Sequence, residues 1–156
     1  MNNLNIGDYA PDFKLLTKEN SDQKLYELKN KFVVLYFYPK DSTPGCTIEA
    51  NEFNKLKSQF EELGAIIIGI SKDDLESHQQ FSEEHCLDFD LVSDKHSDVC
   101  EKYGVWGEKL MVGKTYMGTS RTTFLLDNRK RIKHIWNDVY VNDHAKEVLQ
   151  TIKDSR

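Results

Sequence analysis

The sequence predicts an α/β fold in which helices cover both faces of a central mixed β-sheet. Two runs, residues 32–38 and 65–71, are apolar on both of their faces, as in central strands that helices cover on each side. Each run is followed by a segment with helical periodicity. Residues 122–126 and 132–136 flank a polar turn and predict a β-hairpin. Strands that alternate with helices and end in a hairpin plus a helix indicate a mixed sheet.

The first half of the chain supplies a strand, a long helix and a second strand. After Pro39 ends the strand of residues 32–38, apolar residues recur at steps of three and four, and Gly64 follows them. They are Ala50, Phe53, Leu56, Phe60 and Leu63. This pattern predicts one amphipathic helix over residues 44–63 that ends at the glycine, before the strand of residues 65–71.

Shorter elements are expected in the second half of the chain. They are a helix at 74–85, a strand at 89–92, a helix at 97–103 and a final helix at 143–153. Ser97 and Asp98 stand at the start of the second of these helices. Both are residue types that cap helix N-termini, so they are the candidate caps.

Composition limits the range of functions. The 156 residues carry a net charge of -5 with a pI near 5.5, which argues against a general nucleic-acid binder because phosphate binding needs a basic face. The one basic cluster, residues 129–131, lies between two apolar runs and is interpreted as a solvated hairpin turn. The length suits one packed core, so residues 1–156 are expected to form a single domain.

The chain shows no sign of export or membrane insertion. It contains no apolar stretch of about 18 residues, and its amino terminus lacks the basic and apolar regions of a secretory leader. The three cysteines, Cys46, Cys86 and Cys100, are an odd number without a Cys-x-x-Cys pair, unlike a secreted disulfide framework. We therefore expect a cytoplasmic protein that makes no contact with membranes.

The most informative stretch is residues 39–46, PKDSTPGC, because it places Cys46 at the predicted start of a helix. The positive end of the helix dipole favours a thiolate at that position. Pro44 suits the first helical position, and Thr43 is expected to cap the helix while its hydroxyl points toward the space above the sulfur. Phe53 follows Cys46 by about two turns, so the thiol is expected to lie in a pocket facing the sheet.

A thiolate alone gives a modest gain, because the interactions that stabilise it also lower its nucleophilicity. A fast thiol enzyme must also stabilise its transition state with donors and a positive charge near the leaving group. Arg121 stands immediately before the predicted strand 122–126 and emerges at its end. We expect its guanidinium to reach Cys46, the alternative being a surface arginine at a strand terminus.

Residues 36–50, YFYPKDSTPGCTIEA, resemble the active-site signature of the peroxiredoxins, specifically the Q-type or bacterioferritin comigratory protein subfamily. The resemblance covers nearly the whole chain. It continues through 69–71 (GIS), 91–94 (LVSD), 103–109 (YGVWGEK) and 118–125 (GTSRTTFL). A Pro-x-x-x-Thr-x-x-Cys core with a distant arginine before a strand is a specific signal.

The resemblance implies a thioredoxin-like fold and a peroxidase that reduces hydrogen peroxide and organic hydroperoxides, with no cofactor and no metal. Cys46 would become a sulfenic acid and be regenerated by thioredoxin, glutaredoxin or glutathione. By the same resemblance, Pro39 shields the sulfur and Thr43 holds the peroxide. Arg121 polarises the O–O bond, and Glu49 orients Arg121 through a salt bridge. The alternative for Glu49 is an exposed acid that complements the helix dipole.

The sequence departs from the subfamily at the resolving cysteine. Many members carry it five residues after the peroxidatic cysteine, where this chain has Asn51, and a minority carry it at a position matching Ser82. Cys86, one turn beyond Ser82, would reach Cys46 only if the helix end unwinds, and otherwise packs as a small apolar residue. Cys100 is expected to be buried and inert. Without an internal resolving cysteine, an external thiol would react with the sulfenic acid of Cys46.

Other functions are compatible with parts of the pattern. A zinc site would use His85, Cys86, His96 and Cys100, but their spacing does not match the compact pairs of zinc ligands. A thiol–disulfide oxidoreductase would carry a second cysteine where this chain has Glu49. A catalytically silent binding module stays open, because fold alone does not fix function. A monomer is expected, since the chain ends without the long cysteine-bearing tail of obligate dimeric relatives.

Overall fold

The computed structural model describes residues 4–19 and 22–155, and a five-stranded mixed sheet lies at its centre. These residues form seven strands, namely β1 (Phe32–Phe37), β2 (Ala65–Ser71), β3 (Asp90–Ser93), β4 (Trp106–Met111), β5 (Lys114–Thr119), β6 (Thr122–Leu126) and β7 (Ile132–Trp136). The central sheet has the order β3-β2-β1-β6-β7, while β4 and β5 form a separate pair. Strands β1, β2 and β3 are parallel, whereas β6 and β7 are antiparallel to their neighbours. The predicted mixed sheet is confirmed.

Five helices accompany the sheet in the described residues. They are α1 (Pro44–Lys55), α2 (Lys57–Glu62), α3 (Leu75–Glu84), α4 (Val99–Lys102) and α5 (His144–Ser155), with a 3-10 turn at Leu25–Glu27. Within residues 4–19 and 22–155, none of these helices has the length and apolar character needed to cross a membrane. The α/β class with helices flanking the sheet is therefore confirmed.

Strand β1 is central in the sheet, and all of its residues are buried. Successive side chains of a strand point to opposite faces. Val34 and Tyr36 belong to one core cluster together with Cys46 and Phe53 of α1, whereas the odd-numbered residues of β1 pack in the cluster on the opposite face. The apolar periodicity thus brings the amino-terminal end of α1, and Cys46 with it, onto the sheet.

The prediction of one continuous helix over residues 44–63 is wrong at Leu56, where α1 gives way to α2. The Leu56 amide donates to the carbonyls of both Glu52 (3.3 Å) and Phe53 (3.2 Å), a tightening typical of a 3-10 turn. Phe53 and Phe60 are nevertheless both fully buried. The hydrophobic period identified the buried face, because that face continues across the local change in winding.

The cap predicted for α4 is also wrong. Asp98 occupies the N-cap position but makes no side-chain capping bond, and Ser97 donates its hydroxyl to Asp94 (2.5 Å). The carboxylate of Asp94 accepts instead from the amides of Val99 (3.0 Å) and Cys100 (2.8 Å). An acid several residues upstream caps this helix because the intervening turn folds back over the helix end.

The antiparallel pair of β4 and β5 was not predicted. Its connection is Val112 and Gly113, both with positive φ (50° and 77°), as in a two-residue type I′ turn. Val112 is a poor residue for that turn, and the strands show little alternation because much of the pair is exposed; Leu110, for example, is 73 % exposed. Neither of the usual sequence signals for a hairpin is therefore present.

The hairpin of β6 and β7 is confirmed, but its basic turn is only partly solvated. Lys130 has a φ of 68° and is buried, so the expectation of a solvated cluster is wrong at this residue. Its ammonium donates to the carbonyls of Leu28 (2.9 Å) and Asn128 (3.4 Å). These carbonyl oxygens replace the water that the ammonium would otherwise bind.

Candidate active site

Cys46 is the third residue of α1 and is almost fully buried, with 1 % of its surface exposed. Thr43 occupies the N-cap position in extended conformation (φ -82°, ψ 154°), and Pro44 follows at the first helical position. Proline is suited to that position because its missing N–H would have no partner within the helix. The sulfur therefore lies in the first turn of the helix, where the dipole favours negative charge.

Strand pairing brings Arg121 to this helix. Antiparallel register sets Thr122, the first residue of β6, opposite Phe37, the last residue of β1. Because β1 leads into the turn before α1, the residue just before β6 emerges at the same edge of the sheet. The Arg121 guanidinium donates from Nη2 to Cys46 Sγ (3.4 Å) and from Nη1 to Glu49 Oε1 (2.8 Å).

Glu49 lies three residues after Cys46 and is 1 % exposed, so the alternative of a solvent-exposed acid is wrong. Burial raises the pKa of its carboxyl to about 7, although the charge and hydrogen bond of Arg121 act to lower it. Its second oxygen, Oε2, has no hydrogen-bond partner within the described residues. In its charged form this buried carboxylate needs a cation close by, and Arg121 supplies one at Oε1.

The guanidinium itself stays charged. Burial acts to lower the pKa of Arg121, but the neighbouring Glu49 carboxylate and Cys46 sulfur outweigh it and hold the pKa above its usual value. The side chain is 17 % exposed, so one positive charge is fixed beside the sulfur with limited access for water. Such an arrangement stabilises negative charge on the sulfur and on any atom that leaves from it.

Gly45 is a site residue that sequence reasoning missed. A Cβ at this position would lie 3.1 Å from Nη2 and 3.8 Å from Cζ of Arg121. Any larger residue would therefore displace the guanidinium by a few tenths of an ångström. The sequence shows only a glycine after a proline. The need for a small residue at this position comes from Arg121, which lies far away in the sequence.

Thr43 and Pro39 lie close in sequence to Cys46, and the structure contradicts one of the roles expected of Thr43. The Thr43 hydroxyl donates to the carbonyl of Lys40 (2.9 Å) and makes no capping bond, so the expected cap is wrong. Its oxygen lone pairs are used by no helix amide. Pro39 is exposed after the end of β1. The shielding role of Pro39 and the peroxide-binding role of Thr43 stay predictions.

The two remaining cysteines differ in environment. Cys100 is fully buried, and burial raises the pKa of its thiol well above the ordinary value. Cys86 is exposed just beyond α3 with a φ of 52°. Its carbonyl accepts from the Asn54 side-chain amide (3.0 Å), which ties the turn to α1. Asn54 follows Cys46 by eight residues, about 12 Å along a helix, and both thiols are free, so the structure contains no disulfide between them.

His144, at the start of α5, is a second residue that the sequence did not indicate. It is buried, its Nε2 lies 2.9 Å from the hydroxyl of Thr123, and its ring meets those of Phe53 and Trp136 edge-on. Burial lowers the pKa of this imidazole to about 4, with the positive charge of Arg121 adding to the effect. His144 is therefore a neutral packing residue behind the site.

Potential metal ligands cluster at one place in the part of the chain that the structure describes. Asp41, Asp73 and His78 bring ligand atoms within 4.8 Å of one another. The zinc set considered from the sequence does not form such a cluster among the described residues. These three residues lie at or next to the turn that precedes Cys46.

Comparison with known proteins gives consistent matches over nearly the whole chain. Residues 6–135 match the model of the AhpC/TSA family. Peroxiredoxin Bcp of Bacillus subtilis strain 168 is 46 % identical over 151 residues, which are 97 % of this chain and 96 % of that protein. Peroxiredoxin Bcp of Escherichia coli strain K12 is 39 % identical over 154 residues, 99 % of each chain.

Solved structures agree with these matches. The bacterioferritin comigratory protein of Xanthomonas campestris, solved to study alkyl peroxide reduction with a trapped intermediate and ligand, has a TM-score of 0.90 at 37 % identity. That alignment covers 98 % of this chain and 96 % of the other. A cysteine-to-serine variant of Xylella fastidiosa PrxQ has a TM-score of 0.91 at 37 % identity, over 99 % of both chains.

Proposed function

The chain belongs to the AhpC/TSA family, and from that membership we propose that it is a thiol-dependent peroxidase that reduces hydroperoxides through Cys46. The observation that carries the proposal is the donation from Arg121 Nη2 to Cys46 Sγ (3.4 Å). The alkyl peroxide reduction studied in the Xanthomonas campestris protein, which shares 37 % of its residues with this chain, supports the same substrate class.

The proposed reaction is a displacement on oxygen. The Cys46 thiolate attacks the hydroxyl oxygen of the hydroperoxide, so an S–O bond forms while the O–O bond breaks. The sulfur loses two electrons and becomes a sulfenic acid. The leaving alkoxide or hydroxide takes those electrons and then a proton from water, giving an alcohol or water. Charge therefore moves from the sulfur to the leaving oxygen, and a cation beside both atoms stabilises the transition state.

The neighbouring residues have distinct roles in this proposal. Arg121 polarises the O–O bond and supports the thiolate, and Glu49 holds the guanidinium in place by its 2.8 Å contact with Nη1. The Thr43 hydroxyl gives its hydrogen to Lys40, so its lone pairs are free to accept the hydrogen of a bound hydroperoxide. Pro39 shields the sulfur from water.

Regeneration requires a thiol. The sulfenic acid condenses with a thiol to form a disulfide and water, and a second thiol then releases Cys46. We propose thioredoxin, glutaredoxin or glutathione as the source of reducing thiols. All three cysteines lie in the described part of the chain, and Cys86 is the exposed one. It would act as the resolving residue after its turn separates from Asn54. The other route is direct attack by the external thiol.

We further propose that residues 1–156 act as a single-domain monomer in the cytoplasm, with a role in antioxidant defence. The net charge of -5 favours small-molecule substrates and protein reductants over nucleic acid. Shared burial of β1 by both core clusters supports one cooperative unit. Sedimentation velocity of the purified chain tests the monomer.

Turnover assays test the function. Purified protein is supplied with hydrogen peroxide or cumene hydroperoxide, and with either thioredoxin and its reductase or glutathione and glutaredoxin, while NADPH oxidation is followed. We expect peroxide-dependent oxidation with at least one reductant, its loss in Cys46→Ser, and its retention in Cys100→Ala. Equal activity in Cys46→Ser and wild type would overturn the proposal, as would no turnover with any pair.

The resolving step has its own readout. Mass spectrometry without reductant follows the reaction with one equivalent of peroxide. A loss of two hydrogens in the wild-type monomer, absent in Cys86→Ser, assigns resolution to Cys86. A persistent sulfenic acid, or an adduct with added glutathione, assigns it to the external thiol.

A further inference from the structure

A buried polar cluster lies under the turn that precedes Cys46. Its members are Tyr38, Asp41, Ser77 and His78, here called the Asp41 cluster. Asp41 and His78 are 5 % and 4 % exposed. One carboxylate oxygen of Asp41 accepts from the Tyr38 hydroxyl (2.6 Å), and the other accepts from the Ser77 hydroxyl (2.8 Å) and lies 2.7 Å from His78 Nδ1.

The partners of His78 indicate its protonation. Its Nε2 lies 3.1 Å from the carbonyl oxygen of Val92, which can only accept, so Nε2 carries a hydrogen. Its Nδ1 faces the Asp41 carboxylate at 2.7 Å. Two lone pairs at that distance would repel, so a proton lies between nitrogen and oxygen. The Asp41 oxygens already accept from the Tyr38 and Ser77 hydroxyls, and such bonds favour the carboxylate form. We therefore assign the shared proton to Nδ1, which makes the ring an imidazolium paired with a carboxylate.

A metal ion explains the same atoms less well. A divalent ion binds nitrogen and oxygen ligands at about 2.1 Å, which separates neighbouring ligand atoms by about 3 Å or more. The observed 2.7 Å contact is the length of a charge-assisted hydrogen bond. The third potential ligand, Asp73, already accepts at Oδ2 from the Asp41 amide (2.8 Å) and the Ser71 hydroxyl (2.6 Å).

The surrounding charges favour a cation at His78. The cavity beside the ring is also lined by Lys18, Glu19, Glu83 and Asp90. Asp74 caps the start of α3, and Lys95 lies 3.7 Å from its carboxylate. With Asp41 and Asp73, the acidic groups around His78 outnumber the basic ones.

The cluster fixes the active-site turn. Asp41 is two residues before Thr43, and Ser42 between them has a φ of 65°, which only a held turn maintains. The turn is closed by the bond from Thr43 to the Lys40 carbonyl, and both the amide and the carboxylate of Asp41 are held by residues at or near the start of α3. A shift of Asp41 would therefore move Thr43 relative to Cys46.

We propose that His78 is a positioning residue for peroxide reduction, an imidazolium that binds Asp41 and thereby fixes on α3 the turn that sets Thr43 beside Cys46. The proposal rests on the proposed function, in which Thr43 holds the hydroperoxide. His78 acts through Asp41 and touches neither the sulfur nor the substrate.

The charge state has a direct spectroscopic test. Protein labelled with ¹⁵N is examined near neutral pH by NMR correlation of the ring nitrogens with the ring carbon-bound hydrogens, and His78 is assigned by loss of its signals in His78→Phe. The expected result is two protonated ring nitrogens. One protonated and one bare nitrogen would overturn the imidazolium, and this readout needs no activity.

The positioning role is tested by comparing two reactions of Cys46. Reaction with peroxide needs the turn geometry, whereas alkylation by iodoacetamide needs only the thiolate. In Asp41→Ala and His78→Phe we expect the peroxide rate constant to fall at least about tenfold, with the alkylation rate constant changed by less than about threefold. His85→Phe is the matched control, because it makes the same substitution at the residue that directly follows α3. It should leave the peroxide and alkylation rate constants unchanged.

Asp41→Asn separates position from charge. Its amide can donate to a neutral His78 and keep the contact, so we expect a peroxide rate constant within about threefold of wild type. This conservative rescue also keeps the test informative if Asp41→Ala fails to fold. Unchanged peroxide rates in Asp41→Ala and His78→Phe would overturn the proposal, as would parallel loss of both reactions or a chelator effect on the wild-type rate. Failure of the proposed function would instead appear as no peroxide reaction in the wild type.

Discussion

The guanidinium of Arg121 lies 3.4 Å from the sulfur of Cys46, although 75 residues separate them in sequence. The contact follows from strand pairing, because the register between β1 and β6 places both residues at one edge of the sheet. The reactive centre is therefore built by two parts of the chain, one that supplies the sulfur at a helix end and one that supplies the charge.

Replacing Arg121 with lysine tests whether the forked geometry is needed as well as the charge. A lysine keeps the charge but cannot donate to Cys46 and Glu49 at once from a planar group. We expect the second-order rate constant with hydrogen peroxide to fall by about 10²-fold. Stopped-flow kinetics measures it, with Arg129→Lys at an exposed position as the control. A wild-type rate in Arg121→Lys would contradict the role given to the fork.

Gly45→Ala is expected to lower activity without lowering stability. Alanine favours the helix, so the free energy of unfolding should be unchanged or rise by up to about 1 kcal/mol. The new Cβ would lie 3.1 Å from Arg121 Nη2 and push the guanidinium away, so the peroxide rate constant should fall. Urea unfolding and stopped-flow kinetics on the same sample check both. A peroxide rate constant in Gly45→Ala that equals or exceeds that of the wild type would contradict the role given to this contact.

Glu49 makes stability depend on pH. Its pKa of about 7 lies above the ordinary 4.5, so between these values the folded protein keeps a proton that the unfolded chain has lost. The free energy of unfolding therefore falls as pH rises through this window, by up to about 3 kcal/mol. Unfolding of Glu49→Gln over the same range should lack this contribution. Parallel pH profiles for the two proteins would rule it out.

His144 gives the opposite dependence. Its pKa of about 4 lies below the ordinary 6.5, so in this window the unfolded chain binds a proton that the folded protein excludes. The contribution is present above pH 6.5 and is lost as pH falls toward 4, by up to about 3 kcal/mol. The wild type should thus lose stability in acid relative to His144→Gln. Thermal unfolding checks this, and an equal acid response in both proteins would contradict it.

The features that sequence reasoning predicted correctly are those that depend on residues close together in the chain. The apolar run of β1 predicted a buried central strand, and the Pro-Gly turn placed Cys46 at the start of a helix. Arg121 could be singled out because it stands directly before a strand whose apolar run is unmistakable. Each of these features depends on a few neighbouring residues, whose preferences the fold does not override.

The features that the sequence did not show depend on distant neighbours. Gly45 matters because of a guanidinium from β6, and Lys130 is buried because the carbonyl of Leu28 lies beside it. The sequence predicts that the Thr43 hydroxyl caps α1, yet in the folded turn this hydroxyl donates to the carbonyl of Lys40. Asp41 and His78 carry no motif that the sequence analysis used, since their pairing requires α3 to lie against the turn.

The most direct measurement of the central idea is trapping of the sulfenic acid. Reduced protein is mixed with one equivalent of hydrogen peroxide in the presence of dimedone, and the labelled residue is identified by peptide mass spectrometry. We predict that dimedone labels Cys46, at a rate that falls in Arg121→Lys, and that Cys46→Ser carries no label at that position. Label confined to Cys86 or Cys100, or peroxide left unconsumed by the wild type, would contradict the assignment of Cys46 as the reacting thiol.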